Sequence, residues 1–250
     1  MYLFNASAVG LAGMMRRPIQ SMIENQASVS LGPSGGFGST EAKNFDFKGM
    51  VSFQRAFAQT SGTYDPQGQT YDTSVHVVVE QLNVLDVISA DRIIARLSSS
   101  YSDQEPEPRI LSAGSHFENL RILGERVRPE LATRLFDEND TFSKFEQVAE
   151  KSRHDLLRTW RSRDPRASQA YLTSLVENLE LQAAVKWRRR GSIIDVPDFG
   201  RIYLAEFLIQ PYRRQLNMIR LELGSPVAGK LVIASASCNG LGGDSGKEDE

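Results

Sequence analysis

Apolar and polar residues alternate most cleanly over residues 45–57. Phe45, Phe47, Val51, Phe53 and Phe57 hold odd positions, whereas Asp46, Lys48, Ser52 and Gln54 hold even ones. Side chains alternate across a strand with period two, so this spacing gives one aromatic face and one wetted face; a helix would scatter the same rings around its circumference. Four phenylalanines on one face need an opposing layer to cover them. The stretch is therefore expected to be a single core strand of a β-sandwich or barrel. The same period recurs near the N-terminus, where Tyr2, Phe4, Ala6 and Ala8 share a side. Over residues 71–82, Val75, Val77 and Val79 oppose His76, Val78 and Glu80.

Punctuation between these stretches sets the remaining strands. Residues 14–24, with Pro18, read as a connection, and residues 27–31 as a short strand stopped by GPSGGFGS. A phosphate-cradling loop would need a strand before it, a helix after it and a Gly-Lys-Ser/Thr sequence; a strand follows here, so the glycines read as a turn. SGTYDPQGQTYD is a hairpin-like loop. The β-branched residues of NVLDVISADRIIARL favour strand, and YSDQEPEP is an exposed loop. Within residues 109–124 the apolar phase flips between Phe117 and Leu120, and a β-bulge is expected to restore a common inward face.

From 128 to 190 the period changes. Asp140 is placed to cap a helix running through Arg161, with Phe142, Phe145, Val148, Ala149, Leu156 and Trp160 along its apolar stripe. Pro165 ends that helix and suits the first turn of a second one, striped by Tyr171, Leu172, Leu175, Leu179, Ala183 and Trp187. Strand patterns resume at Ile193 and fill residues 202–209, 215–223 and 230–238. The expected architecture is mainly β: an antiparallel β-sandwich made of residues 1–127 and 191–240, interrupted by an α-helical hairpin at 128–190. Residues 241–250 are expected to be a disordered tail.

Composition narrows the function. A chain of 250 residues buries a core without disulfides or metal, and its single cysteine, Cys238, leaves neither an internal disulfide nor a cysteine zinc site. With 29 basic and 31 acidic residues, the net charge of -2 argues against a broad nucleic-acid or membrane footprint. The apolar N-terminal run precedes Arg16 and Arg17 rather than following a basic segment, and it falls short of the roughly 20 residues that span a bilayer. A first strand, no membrane span and a cytoplasmic protein are the expectation.

Candidate chemistry is sparse. Ser115, His116 and Glu118 are adjacent in GSHFEN, with Asp91 as a further acid, but neighbours in a strand point to opposite faces and Ser115 cannot pair with His116 there. Asp137, Glu138, Asn139 and Asp140 collect oxygen ligands, yet an EF-hand spacing counted from Asp137 puts Phe142 at the glycine position and Val148 at the glutamate position. An acidic helix N-terminus explains the cluster better. Arg188, Arg189 and Arg190 follow Trp187, and Arg161, Arg163 and Arg166 surround the Pro165 break near Trp160. Aromatic and basic residues together suit a nucleic acid in principle, but both groups fall at expected helix C-termini, where cations complement the dipole. Trp160, Trp187, Arg188, Arg189 and Arg190 are therefore taken as an interaction surface for an acidic protein partner, including the EDE tail of a second copy. Cys238 reads as a buried hydrophobe, and Met14, Met15 and Met22 as packing residues.

Seven stretches, in order, resemble the choice-of-anchor P family of bacterial β proteins: ASAVGL at 6–11, the SLGPSGG turn, VEQLNVLDVISADRIIA at 79–95, GSHFENLRILG at 114–124, VPDFGRIYLAE at 196–206, LNMIRLEL at 216–223 and LVIASASCNG near the end. The resemblance implies a β-sandwich-like, usually exported domain with no established catalysis and varied C-terminal anchors. This chain departs from that pattern by lacking a signal segment and an anchor, and by carrying the 128–190 insert. Residues and resemblance together lead to a non-enzymatic structural or interaction protein, without cofactor, that self-associates into an oligomer or larger assembly. A carbohydrate-binding module using Tyr64, Tyr71, Tyr101 and Tyr203 is the alternative, ahead of a hydrolase using His116 with Asp91 or Glu118.

Overall fold

The computed structural model describes residues 2–151, 160–161, 170–181 and 187–239. In chain order the strands are β1 (Ala6–Arg17), β2 (Ser21–Ser30), β3 (Gly36–Phe47), β4 (Val51–Asp65), β5 (Thr70–Val84), β6 (Ile88–Ser102), β7 (Arg109–Leu111), β8 (His116–Glu118), β9 (Arg121–Ile122) and β10 (Glu125–Leu131). Helices α1 (Thr133–Glu138) and α2 (Phe142–Lys151) follow. The chain then returns to strands: β11 (Trp160–Arg161), β12 (Tyr171–Ser174), β13 (Val176–Leu181), β14 (Arg188–Arg190), β15 (Ile193–Val196), β16 (Gly200–Gln210), β17 (Arg213–Leu223) and β18 (Ala228–Asn239).

These strands form two antiparallel sheets that do not close, packed as a β-sandwich. The first sheet runs β11, β12, β16, β17, β18, β1, β2, with β15 sharing the β12 edge of β16 and β14 outside β15. The second runs β13, β10, β9, β6, β5, β4, β3, with β7 and β8 beside β9 on the same edge of β6. Strand β18 lies over β5 and β6, and β1 over β4 and β5. One continuous core fills the gap, including the expected N-terminal set Tyr2, Phe4, Ala6 and Ala8 and the valines Val75, Val77 and Val79.

A crease crosses each sheet. In the second sheet the buried positions switch parity on every long strand at one level. Val51 and Phe53 give way to Ala56 and Ala58 on β4, Leu82 to Val79 on β5, and Ala90 to Ile93 on β6. Strand register is nevertheless continuous through the switch: Lys43 faces Arg55 and Phe45 faces Phe53 on either side of it, as do the pairs Glu80–Arg92 and Leu82–Ala90. The switch is made by left-handed backbone at Asn44, Gln81 and Asn119, placed on alternate strands with Gln54 and Asp91 between them. All five residues point to solvent. The first sheet repeats the device with Ala27, Ala234 and Ala205 left-handed, and Gly10 and Met218 between them, all inward. Four of these five residues are small, Met218 being the exception, and at Gly10 the space is limiting: a Cβ there would lie 2.9 Å from Cβ of Ala56 across the core. Both sheets thus switch faces along one row of paired residues, polar and outward in one sheet, inward and mostly small in the other.

Several expectations are corrected here. The aromatic ladder is a hairpin rather than one strand: β3 ends at Phe47, residues 48–50 turn, and Phe45 stacks on Phe53 at 5.0 Å. Phe57 lies beyond the crease and faces outward. The connection drawn at 14–24 is mostly strand, because β1 reaches Arg17 and β2 begins at Ser21. No extra residue separates Phe117 from Leu120; the left-handed Asn119 turns the face instead. Asp140 binds Lys144 Nζ at 2.7 Å, while Thr141 Oγ1 accepts from the Lys144 backbone as the cap of α2.

The helical hairpin is half right. Helices α1 and α2 exist, but Tyr171, Leu172 and Leu179 belong to β12 and β13, and Trp160 pairs in a strand with Leu172. Residues 128–190 hold the end of β10, which begins at Glu125, and add β13 to the same sheet and β11, β12 and β14 to the other. An apolar residue every three or four positions was compatible with short strands packed on both sides. Pro165 and its neighbours, Ala183 and the 241–250 tail lie outside the described residues.

Candidate functional site

On the outer face of the second sheet, register converts the sequence into rows. Nearest the crease, Lys43, Arg55, Glu80, Arg92 and Glu118 stand side by side on β3, β4, β5, β6 and β8. They alternate in charge after the first pair and are linked: Arg55 to Glu80 at 3.8 Å, Arg92 to Glu80 at 3.0 Å and to Glu118 at 3.5 Å. Glu41, one row away, accepts from Lys43 at 3.0 Å and from Arg55, and these two cations hold its carboxyl below the usual range. Such an exposed ladder stabilises little pair by pair, but it fixes side-chain positions across five strands.

Farther from the crease the face loses charge and volume. Ser61, Ser74 and Ser98 line up between two exposed apolar ends, Phe37 on β3 and Leu111 on β7. Thr63, Asp72, Ser100 and Arg109 form the next row. Because the floor is made of hydroxyl side chains, it sinks below its margins. The resulting trough has a volume of about 510 Å³ and also touches Asp140. Ser61 and Ser74 share a hydrogen bond of 2.8 Å, and Thr70 donates to Asp72 at 3.2 Å. Beneath it, the hydroxyls of Thr60 and Ser99 are buried without a partner.

The free edge of this face is β3. The strand is 12 residues long and pairs with β4 alone; no described residue forms a ladder with its other edge. Phe37, 69% exposed, stands at its start. Edge strands of this length present a row of unpaired backbone groups to any incoming strand.

The residues singled out by sequence fall elsewhere. Ser115 is buried and exchanges two hydrogen bonds with the backbone of Arg96, at 2.9 and 3.1 Å. His116 is exposed, bound to the Gly114 carbonyl at 3.0 Å and to Glu118 at 3.2 Å. Asp91 accepts from Asn119 at 2.6 Å. His116 is thus paired with Glu118, one of its two candidate acids, whereas Ser115 and Asp91 engage other partners. Asp137 accepts from the backbone and hydroxyl of Ser112, and no group of metal-ligating side chains occurs among the described residues. No helix among the described residues is long and apolar enough to cross a membrane.

The three arginines after Trp187 lie in a strand at the margin of the first sheet. Arg188, Arg189 and Arg190 form the exposed strand β14, and Trp187 and Arg188 line an open cavity of about 700 Å³ with Asp195, Pro197 and Arg201. Asp195 is already held by Arg201 at 2.9 Å and Arg190 at 3.7 Å. The Trp187 indole nitrogen is buried without a partner, so this ring acts as packing rather than as an exposed contact. Trp160 is on β11, the same margin of the sheet.

The tyrosines are also committed. Tyr71 stacks on Tyr2 at 4.3 Å and meets Tyr64 at a tilt at 4.7 Å, and Tyr101 stacks on Tyr2 at 5.5 Å. The Arg220 guanidinium lies 3.6 Å from the Tyr203 ring centre, and the Tyr203 hydroxyl donates to Glu222 at 3.0 Å. Tyr64 alone of the four is exposed.

Two features escaped the sequence reading. The serine row had a signal in SSS at 98–100, but only register places Ser61 and Ser74 beside it. Arg214 is 2% exposed and donates to the carbonyls of Ile110, Asn139 and Asp140 at 3.1, 3.1 and 2.9 Å. Its parity with Leu216 was the available clue.

One family, described as a domain of unknown function (DUF8256), matches residues 2–169 and 144–210. No curated protein and no solved structure matches the chain.

Proposed function

We propose a non-enzymatic, self-associating interaction role for this chain, which belongs to the DUF8256 family. The observation that carries the reading is β3: a 12-residue strand on the rim of its sheet, with one edge unpaired among the described residues and an exposed phenylalanine at its start. Strand addition supplies affinity through main-chain hydrogen bonds and specificity through alternate side chains, and it needs no catalytic group. The separate engagements of Ser115, His116 and Asp91 also favour a contact role over hydrolysis. Sedimentation velocity over a hundredfold range of protein concentration is the test. The expected result is a mass above one chain that rises with concentration; a strict monomer throughout overturns the proposal.

The trough favours a second reading, a small polyhydroxylated ligand. Its serine and threonine hydroxyls, with Asp72 and Arg109, offer the paired donors and acceptors that sugars use, although the tyrosines first considered for stacking are mostly packed among themselves. A glycan array with no binding, or binding unaffected by Ser74→Val, removes this reading.

A further inference from the structure

We infer that the occupant of the β3 edge is the same strand of a second copy, paired antiparallel about a two-fold axis through Thr40. The inference rests on the self-association proposed above and adds the partner surface and its register.

Register follows from the crease. Between the turn ending at Gly35 and the left-handed Asn44, β3 keeps one parity: Phe37, Ser39, Glu41 and Lys43 point outward, and Gly38, Thr40 and Ala42 point toward the core layer. Beyond Asn44 the faces exchange. Directly opposed residues in a sheet must point to the same side, so a partner strand has to pair within residues 36–44. A two-fold contact uses one patch twice, and centring it on this flat segment puts Thr40 opposite Thr40. Lys43 of each copy then faces Phe37 of the other, and Glu41 faces Ser39. The alternative centre at Ala42 would set Glu41 against Lys43, an attractive match, but it also opposes Phe37 to Phe47, which lies past the crease on the other face. The crease excludes it.

Charge indicates that the occupant is a second copy. Glu41 and Lys43 neutralise each other at 3.0 Å, so a strongly acidic or basic foreign strand gains no net attraction from this edge. In the Thr40 register no like charges are directly opposed. Phe37, the most exposed aromatic ring among the described residues, is then covered by the stem and ammonium of Lys43, a cation–π geometry.

Cysteine crosslinking reads the register. Opposed Cα atoms in an antiparallel pair are about 4.5–5.5 Å apart, within disulfide range, whereas a residue four positions out of register is about 13 Å away. Thr40→Cys is expected to form a covalent dimer under copper–phenanthroline oxidation, and Ala42→Cys is expected not to. The native Cys238 is buried and does not compete. Phe37→Ala, which removes a solvent-exposed ring and leaves the fold intact by circular dichroism, is expected to weaken self-association about tenfold. Crosslinking at residue 42 instead of 40, or an oligomer indifferent to both cysteines and to Phe37→Ala, overturns this interface while leaving self-association standing. A strict monomer overturns both.

Discussion

Arg214 shows how a single side chain can tie the helices to the sandwich. Its guanidinium is buried on β17 and reaches the carbonyls of Ile110 on β7 and of Asn139 and Asp140 between α1 and α2, without a carboxylate in direct contact. Removing it leaves three carbonyls short of a donor and opens a cavity, so Arg214→Ala is expected to lose about 3–5 kcal/mol in urea unfolding. Arg214→Met keeps most of the volume and should lose about 2–3 kcal/mol, the part due to the hydrogen bonds. Cys238, opposite it on β18, gives the pair a signature at alkaline pH. Burial pushes the thiol up to about 12, from an ordinary value of 9.0. The native state therefore keeps a proton that the unfolded chain gives up above pH 9; this contribution is complete below pH 9 and is lost as pH rises toward 12. Burial acts in the opposite direction on the base Arg214, lowering it to about 10. Above pH 10 the unfolded chain holds the extra proton and stability rises, offsetting the thiol. The visible decline is confined to the interval between about pH 9 and 10. Compared with Cys238→Ala in denaturant titrations, the wild type should lose about 1 kcal/mol of relative stability across that unit and almost none between pH 7 and 8.

At the scale of elements, the creases explain both what the sequence disclosed and what it hid. Period two was legible wherever a strand stays on one side of the bend: Val75, Val77 and Val79 were placed correctly, as were Tyr2, Phe4, Ala6 and Ala8. At the bend the parity changes, and no residue type announces it. Asn44 and Asn119 are tolerant of left-handed backbone, but Gln81, Ala27, Ala205 and Ala234 are ordinary residues held there by the strand ladders. The Phe117–Leu120 flip was therefore seen and assigned to an inserted residue, and Phe57 was counted on the wrong face. The second expected helix failed for another reason: Tyr171, Leu172, Leu175 and Leu179 are apolar because they cover sheet margins, and spacing in so short a run fits either period. The serine trough was invisible because its rows exist only across strands. Backbone strain at the crease is open to measurement at Gln81, whose side chain is exposed. Gln81→Val adds a β-branched residue in left-handed backbone and should destabilise by about 1–2 kcal/mol. Gln81→Gly relieves the strain but loosens the unfolded chain, so the two effects nearly cancel and the midpoint should stay within about 0.5 kcal/mol of wild type.

The whole molecule is two bent sheets with open margins, and those margins decide how it behaves among copies of itself. Most margins are short or shielded: β11, β12, β14 and β15 divide one edge of the first sheet, and β7, β8 and β9 divide one edge of β6. Fragmented edges pair poorly with incoming strands. Among the described residues two long strands pair on one side only, β2 with 10 residues and β3 with 12, and the two charges of β3's flat segment, Glu41 and Lys43, cancel locally rather than repel a twin. If copies join there, folding and association are linked, because pairing stabilises only the native chain. A tenfold rise in protein concentration then adds about 1.4 kcal/mol per dimer, roughly 0.7 kcal/mol per chain. For a chain of this size that corresponds to a rise in Tm of about 1–3 °C. Differential scanning calorimetry of wild type over two decades of concentration should show this slope, and Phe37→Ala, with an unchanged monomer fold, should show a flatter one at its low end. Salt offers an independent discrimination: main-chain pairing with a covered ring is insensitive to ionic strength, whereas a dimer held by Glu41–Lys43 exchange would weaken as salt screens the charges. An association constant that stays level between about 0.1 and 1 M salt therefore favours the Thr40-centred register over the one centred on Ala42.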